Sequence, residues 1–208
     1  MRAQSEIEEK WNAASHGIGF LLSLLGFALL IFLKTYDTNE GMLGVILYGV
    51  SLSTLYLAST VYHYSSNEER KLFYRKLDHI SIYLLIAGTY SPVVLIALDE
   101  SLGWVLFWVV WGIALVGTIL KLFFTGRFEI ISLLLYLAMG WLIVFDFQAL
   151  KAAVTPEGLW LLMGGGLAYT VGIVFYAGHK IPYNHVIWHF FVLAGSILHY
   201  LFIFFEIT

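Results

Sequence analysis

The stretch NHVIWHFFVLAGSILHYLFIFF, residues 184–205, contains no Asp, Glu, Lys or Arg along its whole length. A helix rises 1.5 Å per residue and needs about 20 apolar residues to cross roughly 30 Å of hydrocarbon, so this run reads as a membrane-spanning helix. Two histidines, His185 and His189, stand at its start. Side chains four apart on a helix share one face about one turn apart, a spacing that can grip a single metal ion. Polar and ionisable groups are expensive inside a membrane unless they pair or function, which makes the two histidines a candidate site.

The rest of the chain shares the apolar character of this run. Of 208 residues, 60% are hydrophobic and 12% charged, with a mean hydropathy of +0.84. Soluble domains carry about a quarter charged residues, so the composition indicates an integral membrane protein. A net charge of −3, with Lys and Arg scattered between apolar runs, gives no footprint for nucleic acid. There is no cysteine, which removes disulfides and thiolate metal ligands and leaves His, Asp and Glu as the strong ligands. The polar N-terminus, Met1 to Lys10, lacks the basic segment and short apolar core of a cleaved signal peptide, so the first apolar run is expected to remain in the mature protein.

Seven runs are long enough to span, near 16–34, 42–64, 78–98, 102–122, 128–147, 157–177 and 184–205. The expected architecture is all-α: a single domain, residues 1–208, of seven transmembrane helices in one bundle. Asp99-Glu100 leaves only a tight hairpin between the third and fourth spans. Thr155-Pro156-Glu157 is an N-cap, a first-turn proline and an acid at the positive end of the helix dipole, together a start signal for the sixth. Pro92 should kink the third span, with Thr89 or Ser91 satisfying freed carbonyls. Gly164-Gly165-Gly166, Gly112 and Gly117 suggest close helix approach. Trp11, Trp104 and Trp160 near span ends suit interfacial anchors.

Orientation follows from the positive charges. Arg2, Lys10, Arg70, Lys71, Arg75, Lys76, Lys121, Arg127 and Lys180 fall on one side, against Lys34 and Lys151 on the other. The positive-inside rule places the N-terminus and the loops after spans two, four and six in the cytoplasm, with the C-terminus outside.

This topology fixes the depth of each polar side chain. Ser59 and His63, again four apart, lie near the end of the second span; Asp78 and His79 start the third; His185 and His189 start the seventh. Three histidines and an aspartate from three helices therefore arrive in one layer. Zinc suits such a set, with three neutral imidazoles at about 2.0–2.1 Å and the fourth tetrahedral position left for water. Asp78 could hold that water and take its proton, and Ser59 could orient the water, a substrate carbonyl or a ring. A closed structural site would look the same. His79 points about 100° away from Asp78 and suits packing. His199, ten residues past His189, lies roughly 15 Å along the helix and cannot share the metal, though it could line a cavity. His16, behind Asn12 and Glu8 or Glu9 at helical spacing, suits either a supporting contact to the site or a cap.

Ser59-x-x-x-His63, the run Asp78-His79-Ile-Ser-Ile-Tyr-Leu-Leu-Ile-Ala-Gly-Thr-Tyr-Ser-Pro92, the opening Asn12-x-x-x-His16-Gly17 and the terminal His185-x-x-x-His189 together resemble the hemolysin III branch of the PAQR superfamily. That superfamily includes the adiponectin and progestin receptors and is grouped with alkaline ceramidases. The resemblance covers essentially the whole chain. It implies a seven-span bundle with an intracellular N-terminus, zinc held by His63, His185 and His189, and Asp78 and Ser59 as its partners.

Three functions are then open. A zinc-dependent hydrolase would attack an amide or ester carbonyl of a membrane lipid and release a fatty acid, in the manner of a ceramidase and in the service of membrane-lipid homeostasis. A receptor or membrane-fluidity regulator would keep zinc for structure. A hemolysin-type pore-forming cytolysin is the family label, but spans this apolar would not stay soluble before insertion. All three sit in the bilayer, a bacterial plasma membrane being the expected one, with a membrane lipid as substrate or ligand.

Overall fold

The computed structural model describes residues 4–208; Arg2, one of the cations used for orientation, lies outside them. Among the described residues eight α-helices run in order: α1 (Glu6–Leu33), α2 (Asn39–Tyr64), α3 (Glu68–Pro92), α4 (Gly103–Phe124), α5 (Glu129–Gly140), α6 (Phe147–Ala153), α7 (Pro156–Ala177) and α8 (Asn184–Phe202). No strand occurs among the described residues. By length and composition seven helical segments can cross a membrane, because α5 and α6 form one broken span, Glu129–Ala153. The all-α, seven-span architecture is the expected one.

Local chemistry sets several helix starts. Ser5 and Glu8 form a reciprocal capping box on α1, Thr38 caps α2, Asn67 caps α3 and Thr155 caps α7 ahead of Pro156. Each cap side chain accepts a backbone N–H that the helix cannot satisfy itself.

Polar and small residues share the interior with an apolar core. The inward face of α1 is Glu8, Asn12, Ser15, His16, Gly19, Ser23, Gly26 and Leu30, whereas Leu21, Leu22 and Phe32 are exposed. With hydrocarbon outside, a leucine is as well placed facing outward as inward, and polar and small residues can take part in the helix contacts. Gly19 shows the closeness required: a Cβ there would stand 2.5 Å from the Tyr56 ring of α2. Gly165 is pressed against His199 in the same way, but Gly112 and Gly166 have open space where a Cβ would be, so they are not packing glycines.

Two spans depart from simple helices. Past Pro92, α3 continues as a π-helical turn, Val93–Ala97. Thr89 Oγ1 and Ser91 Oγ donate to the carbonyls of Leu85 and Ala87, at 2.8 and 2.9 Å. Neither reaches the Gly88 carbonyl that Pro92 deprives of its N–H, and the wider π turn absorbs the mismatch instead. The fifth span breaks into a 3-10 segment, Leu142–Asp146. Tyr90 of α3 stitches the break, its hydroxyl donating to Gly140 O at 3.0 Å and accepting from Ile143 N at 2.9 Å. Asp146 accepts from Ser101 Oγ at 2.8 Å and from Leu102 N at 2.9 Å, which ties the break to the start of α4.

Candidate metal centre

Three helix termini meet at the end of the bundle that carries the N-terminus. The last turn of α2 supplies His63, α3 supplies Asp78 about three turns from its capped start, and the first turns of α8 supply His185 and His189. The three imidazoles are buried, with ring centroids 5.1 Å apart for His63 and His185, 4.9 Å for His63 and His189, and 4.7 Å for His185 and His189. One nitrogen from each ring can be chosen so that all lie within 4.8 Å of one another. Such a group could hold a metal ion.

The hydrogen bonding fits that use. His63 Nδ1 lies 2.7 Å from Glu9 Oε2, while its Nε2 is buried with no partner. Ser15 Oγ sits 3.4 Å from His189 Nδ1, leaving Nε2 as the nitrogen for a ligand. A neutral imidazole held at one nitrogen presents its lone pair at the other, which is the state a metal requires. All three donors are imidazoles, a set that suits zinc and other borderline transition metals over the hard, oxygen-seeking cations.

The two expected partners lie close by. Ser59, one turn deeper than His63 on α2, is buried, and its hydroxyl does not bond back to its own helix. Asp78 is buried beside Ser59 and His63. Arg75, one turn before Asp78 on α3, also reaches Glu129 of α5, with Nη2 and Oε1 3.9 Å apart.

The remaining histidines fall elsewhere. His79 is buried away from the site, its carbonyl accepting from Tyr136 Oη at 2.9 Å. His199 lies deeper in the bundle, with Nε2 3.1 Å from Leu162 O. His16 lies flat on His189.

The first turns of α1 contribute most of what the sequence did not show. Glu9 reaches across to His63, and the adjacent Glu8 accepts from Tyr183 N at 3.1 Å, directly ahead of α8. Tyr183 has a left-handed backbone, φ 55°, at the N-cap of the helix that bears two of the three histidines. The signal for this layer was the spacing of Glu9, Asn12 and His16, which puts three polar groups on one stripe of an apolar helix.

Above the site is an apolar cavity of about 110 Å³, lined by residues of α2, α3, α5, α7 and α8. Leu55, Ile82, Trp188 and Val192 line it, each one helical turn deeper than Ser59, Asp78, His185 and His189 respectively. It shares Thr89, Tyr90, Gly140, Trp141, Gly166 and His199 with a second cavity of about 370 Å³ that continues toward the far end of the bundle beside the broken fifth span.

The chain is similar to known proteins over most of its length. A 190-residue alignment to Hemolysin-3 of Bacillus cereus shows 44% identity and covers 91% of this chain and 87% of that one. The Hemolysin-3 homolog of Bacillus subtilis (strain 168) is 43% identical over 190 residues, covering 91% and 89%. The human Monocyte to macrophage differentiation factor is 29% identical over 199 residues, covering 93% and 82%. Residues 4–200 match the family model described as Haemolysin-III related, and with seven apolar spans around a buried three-histidine group the chain belongs to that family of multi-pass integral membrane proteins.

Proposed function

We propose that this protein is a zinc-dependent hydrolase that cleaves an amide or ester bond of a membrane lipid, with the site opening toward the cytoplasm. The observation that carries this reading is the stacking of two environments: a buried group of three imidazoles, with Asp78 and Ser59 beside it, directly under an apolar cavity. A soluble substrate would have no use for that cavity, whereas an acyl chain fills it and brings its carbonyl to the polar end. The side of the membrane is supported by the excess of Lys and Arg at that end of the spans.

When bound by His63, His185 and His189, zinc would supply Lewis acidity and lower the pKa of water toward neutrality. Asp78 is placed to accept the proton as the water oxygen adds to the acyl carbon, and to return it to the leaving nitrogen or oxygen as that bond breaks. Ser59, whose hydroxyl lies beside Asp78 and does not bond back to its own helix, donates a hydrogen bond to the substrate carbonyl. The products are a fatty acid and an amine or alcohol, so atoms and charge balance without any further reactant.

Elemental analysis of the purified protein, followed by incubation of wild type and Asp78→Ala with a ceramide and with a phospholipid, tests this. One zinc per chain, and fatty acid released by wild type but not by Asp78→Ala, supports the hydrolase. Zinc that persists in His63→Ala and His189→Ala overturns the site. Zinc whose removal lowers stability in a protein that releases no fatty acid from either lipid overturns the reaction and leaves a structural metal.

A further inference from the structure

Glu9 supplies no ligand, yet it makes the shortest polar contact to any of the three histidines. Its two carboxylate oxygens are divided between two partners: Oε2 lies 2.7 Å from His63 Nδ1, and Oε1 lies 2.6 Å from Lys71 Nζ. Lys71 is further fixed over the Tyr62 ring, 5.6 Å from its centroid. A carboxylate can only accept, so the proton in the short contact is donated by His63 Nδ1. With that nitrogen protonated, the lone pair of a neutral ring resides on Nε2, the atom that is buried without a partner.

We infer that Glu9 is a positioning residue for the metal centre, holding His63 in the Nδ1–H tautomer and in the ring orientation that presents Nε2 to the space shared with His185 and His189. The inference rests on the metal-binding reading of the three histidines and adds that α1 governs their affinity. A carboxylate behind a metal-bound histidine raises its basicity, and loss of such a partner costs about 10- to 100-fold in metal affinity. A simpler role is a tie between α1 and α3 through Lys71, which would change stability and leave the metal alone.

Zinc and cobalt affinities of the full-length protein in detergent separate the two roles. Metal-free wild type, Glu9→Ala, Glu9→Gln, Lys71→Ala and the neighbouring Glu6→Ala are titrated against a competing chelator, and each metal-free form is melted. Glu9→Ala is expected to bind zinc about 10- to 100-fold more weakly and to shift the cobalt absorption bands. Glu9→Gln recovers part of the affinity, since its amide oxygen still accepts from Nδ1–H. Lys71→Ala cuts the same tie between helices but keeps the acceptor, and it binds zinc like Glu6→Ala and wild type. Equal zinc affinity in Glu9→Ala and wild type, or equal losses in Glu9→Ala and Lys71→Ala, overturns the inference alone. A wild type that binds neither metal overturns it together with the metal site.

Discussion

The imidazole of His16 lies flat against that of His189, with centroids 3.6 Å apart and planes 12° from parallel, and neither nitrogen of His16 has a hydrogen-bond partner. His16 therefore acts on its neighbour as a surface, with Tyr56 closing its edge at 5.0 Å. Aromatic stacking contributes about 0.5–1.5 kcal/mol beyond burial, which is roughly a 2- to 10-fold effect on an equilibrium. His16→Ala should weaken zinc binding by about that factor, while His16→Phe, which keeps the plane and discards the nitrogens, should bind as wild type does in a chelator competition. A His16→Phe protein as weak as His16→Ala would show that the nitrogens matter.

Tyr90 bridges the break in the fifth span with one hydroxyl that both donates and accepts. Tyr90→Phe leaves Gly140 O and Ile143 N without that partner, at about 1–3 kcal/mol for a buried unsatisfied group. In a chain of this size each kcal/mol moves Tm by about 2–4 °C. Thermal unfolding in detergent should show Tyr90→Phe lowered by several degrees with zinc binding intact. An unchanged Tm would mean that the break holds without Tyr90.

Much of this fold was legible because a bilayer imposes length: a segment must be apolar for about 20 residues to cross. The break at Leu142–Asp146 was not, since Leu-Ile-Val-Phe looks like uninterrupted span and the hydroxyl that bridges it belongs to a tyrosine on another helix. For the site, alternation of spans was enough to put His63, Asp78, His185 and His189 at one end of the bundle. Glu9 and the stack of His16 on His189 depend on how α1 rotates against α2 and α8, which spacing within one helix restricts to a face but does not assign to a neighbour. Glycine was ambiguous for a related reason: Gly165 and Gly166 are adjacent, and only the first faces a helix.

Gly165 meets His199 so closely that a methyl group there would displace the imidazole ring. The ring is held in turn by Leu162 O, so it cannot simply swing aside. Overpacking of this kind costs about 1–3 kcal/mol. Gly165→Ala should melt several degrees lower than wild type, and the double variant Gly165→Ala, His199→Ala should recover part of that loss. Additive losses would show that the two positions are not in contact.

Gly166 offers the opposite case, because a side chain placed there would project into open space that belongs to both cavities. Gly166→Ala should be neutral or stabilising by up to about 1 kcal/mol, alanine being the better helix former. Gly166→Phe should fold and retain its zinc while filling the space assigned to an acyl chain. The hydrolase reading then requires a selective effect: release of a long-chain fatty acid should fall sharply, and cleavage of a short acyl analogue, which needs only the polar end beside Asp78, should persist. Comparing the two substrates on one preparation checks this, with bound zinc measured in the same sample. An equal loss on both chain lengths would place the acyl group somewhere other than this cavity.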